Sequence, residues 1–180
     1  MRRQGTSLIE LLIVITLIGI LTGIAAPRLR SSTRAAVEQS ARLLAQDLDL
    51  ARTRAYASRA RVRMVITDTT WQVYLDQNRD SIFAESGTEA TAYGPLNFRV
   101  LDERQNFSRG VAARLLADTA SAPSSGPQRI QFGTRGITEP FGSSAFVYLT
   151  HDADNTSVYA VEITPAANVR VWRWLDGTWQ

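Results

Sequence analysis

The chain has 180 residues, 44% of them hydrophobic, with 20 basic and 17 acidic residues and a formal net charge of +3. It contains no cysteine, which excludes a disulfide framework, a zinc–thiolate site and a thiol nucleophile. Every Lys/Arg position is Arg, and the charge is unevenly spread: residues 28–63 carry nine Arg against Glu38, Asp47 and Asp49, whereas residues 64–180 carry nine Arg against thirteen acids. A basic stem therefore precedes a mildly acidic remainder, and beside an anionic lipid surface each such Arg is attracted by about 1 kcal/mol.

Met1 to Gly5 is short, polar and basic. Leu8 to Ala26 is apolar, broken only by Glu10, Thr16, Gly19, Thr22 and Gly23. That length approaches the ~20 residues a helix needs to cross a bilayer. Arg2 and Arg3 lie before the run, and Arg28, Arg30 and Arg34 after it. The flanking charges leave orientation open, while a first span at the N-terminus favours a cytoplasmic start. A cleaved signal peptide fits poorly. Its apolar core is usually ~7–15 residues, and here Ile24-Ala25-Ala26 is a weak cleavage match with Pro27 directly after it. A plain anchor leaves Glu10 unexplained, since a carboxylate costs ~2.5–3.5 kcal/mol at mid-bilayer and less near the interface.

Gly5-Thr6-Ser7-Leu8-Ile9-Glu10, followed by the apolar run, resembles the processing site of type IV prepilins and type II secretion pseudopilins. The resemblance implies cleavage by a membrane prepilin peptidase between Gly5 and Thr6. It also implies N-methylation of Thr6, although this family usually has phenylalanine there. Glu10 becomes the fifth mature residue, and Pro27 stands where the family commonly has a helix-kinking proline. In a packed helical filament, Glu10 could pair with the Thr6 amine of a neighbour or of its own chain, since an unpaired carboxylate there is costly. Gly19 and Gly23 form a G-x-x-x-G pattern that either permits close helix approach or merely loosens the helix.

Beyond Pro27, Val37, Ala41, Leu44, Leu48, Ala51 and Ala55 recur at spacings of four and three, one stripe of an α-helix. With no Gly or Pro between residues 28 and 60, the pattern predicts a helix from about Ser32 to Ala57. Its apolar stripe should cover a head domain. A free-standing coiled coil is the alternative, but the stripe is short and Ala-rich.

After Ser58 the period changes to two. Residues 61–67 and 70–75 predict paired strands joined at Asp68-Thr69, and 96–101 a third. Val111 to Leu116 is ambiguous between strand and short helix. Ser121 to Pro127 is a loop, 129–132 a strand and Gly133 to Gly136 a turn. Residues 145–150, 157–164 and 169–175 predict three closing strands, with turns at 152–155 and 165–168. The expected fold is α+β: one long N-terminal helix, half membrane and half amphipathic, packed on a C-terminal antiparallel β-sheet head. The expected divisions are a leader at 1–5, a transmembrane segment at 6–27, an amphipathic stem at 28–58 and a β-rich head at 59–180.

The order of these pieces resembles the GspH/FimT-type minor pseudopilins and pilins. The resemblance rests on the stem ending in Ala51-Arg52-Thr53-Arg54-Ala55, the strands around Trp71 to Asp76, and Phe132-Gly133-x-x-Gly136 with its closing strands. It implies a subunit of a type II secretion pseudopilus or a type IV pilus. The head would lie in the periplasm and the single span in the bacterial inner membrane. The implied partners are other pilin subunits, the prepilin peptidase, an inner-membrane assembly platform and membrane lipid.

Three further candidates stand in the sequence. Asp76, Asn78 and Asp80 have the D-x-N-x-D spacing of calcium loops, but Ser81 replaces the usual Gly at position 6 and Gly87 the Glu at position 12. A polar turn explains them, and no metal or other cofactor is expected. His151 stands alone beside Asp152 and Asp154, with no second histidine, G-x-S-x-G or P-loop to complete a catalytic set, so no enzyme is expected. The run containing Arg170, Trp172, Arg173 and Trp174 suits either packing and subunit contact or DNA binding through phosphate contacts and stacking. FimT-like DNA-uptake proteins carry a G-R-x-R motif in this region. Here the stretch is Ala167-Asn168-Val169-Arg170, which keeps only the last Arg. Packing is therefore the preferred reading and a DNA-binding minor pilin the alternative.

Overall fold

In the computed structural model, the described residues are 8–29, 33–83, 96–115, 118 and 127–180, with backbone alone for 21–29. They divide into two units, Met1–Ser32 and Thr33–Gln180. The first unit holds helix α1, Leu8–Leu29. Its backbone continues two residues past Pro27.

The second unit opens with helix α2, Thr33–Ser58. Val37, Ala41, Leu44, Leu48, Ala51 and Ala55 are all buried, so the four-three spacing is the face that the head covers. The helix stops where Arg59 takes a left-handed conformation (φ 49°), which ends the hydrogen-bond ladder as a C-terminal cap does. Ser58 Oγ donates to the Arg54 carbonyl at 2.6 Å, satisfying one of the last orphan carbonyls.

The head is two five-stranded antiparallel sheets. The first has the order β3 (Asn97–Val100), β2 (Thr70–Leu75), β1 (Val62–Ile66), β5 (Gln128–Phe132), β6 (Thr138–Glu139). The second has the order β10 (Thr178–Trp179), β9 (Val169–Leu175), β8 (Asp154–Ile163), β7 (Ala145–His151), β4 (Gln105–Asn106). Register places Val62, Met64 and Ile66 beside Phe132, Ile130 and Gln128, and Val161 and Ile163 beside Val171 and Val169. The buried members of these rows meet the α2 stripe in one core with Trp71, Val73, Val147, Leu149 and Tyr159. Each fully buried aliphatic side chain of this kind contributes about 1.5–3 kcal/mol, so the covered face of α2 holds the two sheets together. The expected α+β class, a helix on an antiparallel head, is the observed one.

Three expectations are corrected. Val111 to Leu115 is neither strand nor helix, and Leu116 lies outside the described residues. The backbone here bonds irregularly: Val111 N–H donates to Asn155 O at 3.3 Å, Ala112 N–H to Arg109 O at 3.1 Å and Leu115 N–H to Tyr148 Oη at 3.3 Å. This segment lies over the outer side of the second sheet, where Ala112 and Leu115 are buried. Second, the turn after His151 is only two residues, because β8 starts at Asp154 and pairs it with His151. Third, the chain does not end on β9. It folds back through Asp176-Gly177, both with positive φ (49° and 82°), the turn that hairpins favour. The expected loop at 121–126 lies outside the described residues.

Candidate assembly surfaces

On α1, every described side chain from Leu8 to Ile20 is exposed, including Ile9, Leu12, Ile15 and Ile18 on all sides of the helix. An isolated helix with apolar residues all round must be covered by lipid or by other helices. The polar breaks are handled locally or left open. Thr16 Oγ1 donates back to Leu12 O at 3.1 Å and Ile13 O at 2.8 Å. Glu10 is exposed in the first turn. A Cβ added at Gly19 would meet nothing within 4 Å. Among the described residues, no helix is long and apolar enough to cross a membrane. Side chains of α1 are described only as far as Ile20, short of the ~20 residues a span requires. Gly5 and Thr6 lie outside the described residues, and Pro27 belongs to the stretch of α1 given by its backbone alone.

The stem face of the head is electrostatically built. Glu38 accepts from Arg42 Nη2 at 2.7 Å and from Tyr159 Oη at 3.0 Å. Those two hydrogen bonds, Arg42 first, hold its carboxyl below the ordinary range, with Arg173 adding a further attraction. A buried polar contact that the sequence reading missed joins α2 to the first sheet. Asp47, 5% exposed, accepts from Trp71 Nε1 at 2.8 Å and from Arg99 Nε at 3.2 Å. Asp47 falls between Leu44 and Ala51 on the stripe itself, and that position was the available signal. The Gly133–Gly136 turn also docks on α2, where Arg52 Nε donates to Gly136 O at 3.2 Å. Gly136 holds φ +69°, a left-handed conformation that glycine takes without strain, and a Cβ there would only touch that of Tyr56 at 3.4 Å.

The C-terminal run is largely committed to protein contacts. Trp172 Nε1 donates to Glu162 Oε2 at 2.7 Å and Trp179 Nε1 to Ala113 O at 2.8 Å. Trp174 packs edge-on against Trp179, whose ring also meets Tyr148. Tyr148 Oη donates to Asp118 at 2.6 Å, and burial together with that carboxylate pushes its pKa up to about 12. Arg173 is half-buried toward Glu38, and Arg170 alone of the four named residues is exposed. The rings of Trp174 and Trp179 are thus engaged within the protein, and the DNA-binding reading is not favoured.

His151 is buried, and its Nδ1 accepts from Ala153 N–H at 3.1 Å, closing its turn. Asp152 bonds Asn106, and Asp154 bonds Thr156 and Ser157, so these acids serve the hairpin. Asp76, Asn78 and Asp80 form the turn after β2: Asp76 accepts from Ser81 N–H at 3.0 Å, and Asn78 Nδ2 donates to Asp80 at 2.8 Å. Among the described residues, no three His, Cys, Asp or Glu side chains are grouped to hold a metal.

The sequence profile of the type II transport protein GspH family matches residues 40–167, from mid-α2 almost to β9. The chain belongs to the GspH family. The prokaryotic N-terminal methylation motif matches residues 1–26. The family is a structural, pilin-like one. A curated relative, the pilin-like protein PilA1 of Thermus thermophilus, is 37% identical over 103 residues. That match covers 54% of this chain and 65% of the relative, just under two thirds of its length. Among solved structures, the type IV minor pilin FimU of Pseudomonas aeruginosa aligns with a TM-score of 0.52 at 12% identity, covering 75% of this chain and 87% of that one. The minor pseudopilin EpsH from the type 2 secretion system of Vibrio cholerae aligns with a TM-score of 0.50 at 16% identity, covering 76% and 94%. At these identities the likeness is one of fold.

Proposed function

We propose that this GspH-family chain is a minor pseudopilin or pilin, a subunit of a type II secretion pseudopilus or a type IV pilus. The observation that carries the reading is the exposed, all-round apolar α1 with Glu10 in its first turn, in a chain whose residues 33–180 form a unit with a core of its own. Cleavage between Gly5 and Thr6 would free an amino group four residues before Glu10. That amine, methylated at Thr6 or not, would pair with Glu10 of a neighbouring copy or subunit and fix the axial register. Before assembly, the segment 6–27 would sit in the inner membrane as a single span, with residues 59–180 in the periplasm. The peptidase and an inner-membrane assembly platform would act on this form. Pro27 would kink the helix between the filament core and the stem, since it lacks an N–H and crowds the preceding turn.

Sheared surface filaments or an over-assembled pseudopilus, probed for this chain, test the reading. The wild type is expected in the filament fraction and Glu10→Ala in the membrane fraction. Wild-type protein confined to the membrane would sink the filament reading, whereas Glu10→Ala entering filaments at wild-type level would remove only the register role.

A further inference from the structure

The geometry points to a calcium site in the turn Asp76–Ile82, with side-chain oxygens from Asp76, Asn78 and Asp80 and the backbone carbonyl of Ile82. Asp76 directly follows β2 and is 3% exposed. Its Oδ2 is held by Ser81 N–H at 3.0 Å. Its Oδ1 is buried and has no hydrogen-bond partner. A buried carboxylate oxygen left unsatisfied is costly to the fold. Both oxygens hang on one carbon, and the turn's own Ser81 N–H, from position 6 of the spacing, fixes the first. Arg61, whose carbonyl accepts from Asp76 N–H at 2.9 Å, gives its guanidinium to Ser81 Oγ and to Glu139 Oε2 at 3.1 Å.

A hard divalent cation supplies the missing partner, and the remaining ligands stand at the spacing such a cation uses. Calcium loops draw on positions 1, 3 and 5 and on the carbonyl of position 7, which here are Asp76, Asn78, Asp80 and Ile82. The set needs only two carboxylates, because an amide and a main-chain carbonyl complete it. Position 6 of such loops is normally glycine for its sharp turn, and Ser81 takes that left-handed conformation (φ 72°). Asp80 accepts from Asn78 Nδ2 at 2.8 Å and from Ile82 N–H at 2.7 Å, and each carboxylate oxygen keeps a second lone pair. Asn78 Oδ1 accepts from Asp80 N–H at 3.3 Å and likewise keeps a second lone pair for the ion. With two carboxylates, the affinity belongs with extracellular modules, about 10⁻⁴–10⁻³ M.

The test is calcium binding by the full chain in detergent micelles, using CaCl₂ alone as the probe. Isothermal titration should give about one Ca²⁺ per chain, and 10 mM CaCl₂ should raise Tm by roughly 3–6 °C, reversed by EGTA. MgCl₂ should do markedly less, because Mg²⁺ demands a tighter octahedral cage. Asp80→Ala and Asn78→Ala, both at exposed positions, should fold and lose most of the shift. They keep the test decisive if Asp76→Asn fails to fold. Absence of heat and of any Tm shift at 10 mM CaCl₂ would overturn the site. So would an equal response to MgCl₂, or a shift that survives Asp80→Ala combined with Asn78→Ala.

Discussion

Trp71 on β2 donates its indole N–H to the buried carboxylate of Asp47 on α2 at 2.8 Å, and the bond ties the stem helix to the first sheet. Trp71 is 1% exposed, so its N–H has no access to water as an alternative. The same Asp47 oxygen accepts from Arg99 on β3 at 3.2 Å, so one side chain organises three elements. Asp47→Ala would strand the indole donor and leave a gap, and should lower stability by about 2–4 kcal/mol. Asp47→Asn keeps an acceptor for Trp71 but weakens the hold on Arg99, and should lose about half as much. Thermal melts of the full chain, followed by near-UV circular dichroism, check the order wild type, Asn, Ala. Equal melting of all three would show the contact to be dispensable.

Gly110 holds the covering segment against the second sheet. It sits at φ +53°, and a Cβ there would lie 2.5 Å from the carbonyl oxygen of Asn155 and 3.2 Å from Thr150 Oγ1. The first obstacle is backbone, which cannot swing aside. Gly110→Ala should therefore destabilise by about 1–3 kcal/mol, through strain and clash together. The loss should be accompanied by faster proteolysis around residues 107–115, because the segment must lift to relieve the contact. Melting within 1 °C of wild type would contradict this.

Acid should loosen the β7–β8 hairpin through Asp154. Hydrogen bonds from Ser157, then Thr156, depress its pKa from the ordinary 3.8 to about 2. A depressed carboxylate contributes stability above its unfolded value and loses it as pH falls through the folded one. The contribution should thus be whole above about pH 4 and fade toward pH 2. Asp154→Asn should melt below wild type at pH 7, with the difference closing across that window. Parallel melting curves for both proteins from pH 7 to pH 2 would show that Asp154 contributes nothing by this route.

The elements that sequence pattern revealed are those whose partners are implied by period alone. The α2 stripe, the Thr67–Thr70 hairpin and the long strands β7 to β9 bury residues at fixed spacing, so a one-dimensional pattern suffices. The strands it missed, β4, β6 and β10, have two residues each, too short for any period. β10 carried a signal nonetheless, since Asp-Gly is the dipeptide that tight hairpins prefer. The split into two sheets was not legible, because β4 follows β3 in the chain yet pairs with β7, a non-local choice. At the candidate sites, the acidic turn was visible as spacing, but the lone buried oxygen of Asp76 is a product of packing. The roles of Trp174 and Trp179 likewise depended on which side of the sheet residues 107–115 cover.

The central claim is that this chain is processed and assembled as a pilin-like subunit. Intact mass of the membrane-extracted protein, produced with and without a prepilin peptidase, tests it most directly. With the peptidase, the chain should lose residues 1–5, and methylation at Thr6 would then add about 14 Da. Without it, the chain should keep the leader. A chain left uncut by the peptidase, or cut after Ala26 in both preparations, would contradict the account.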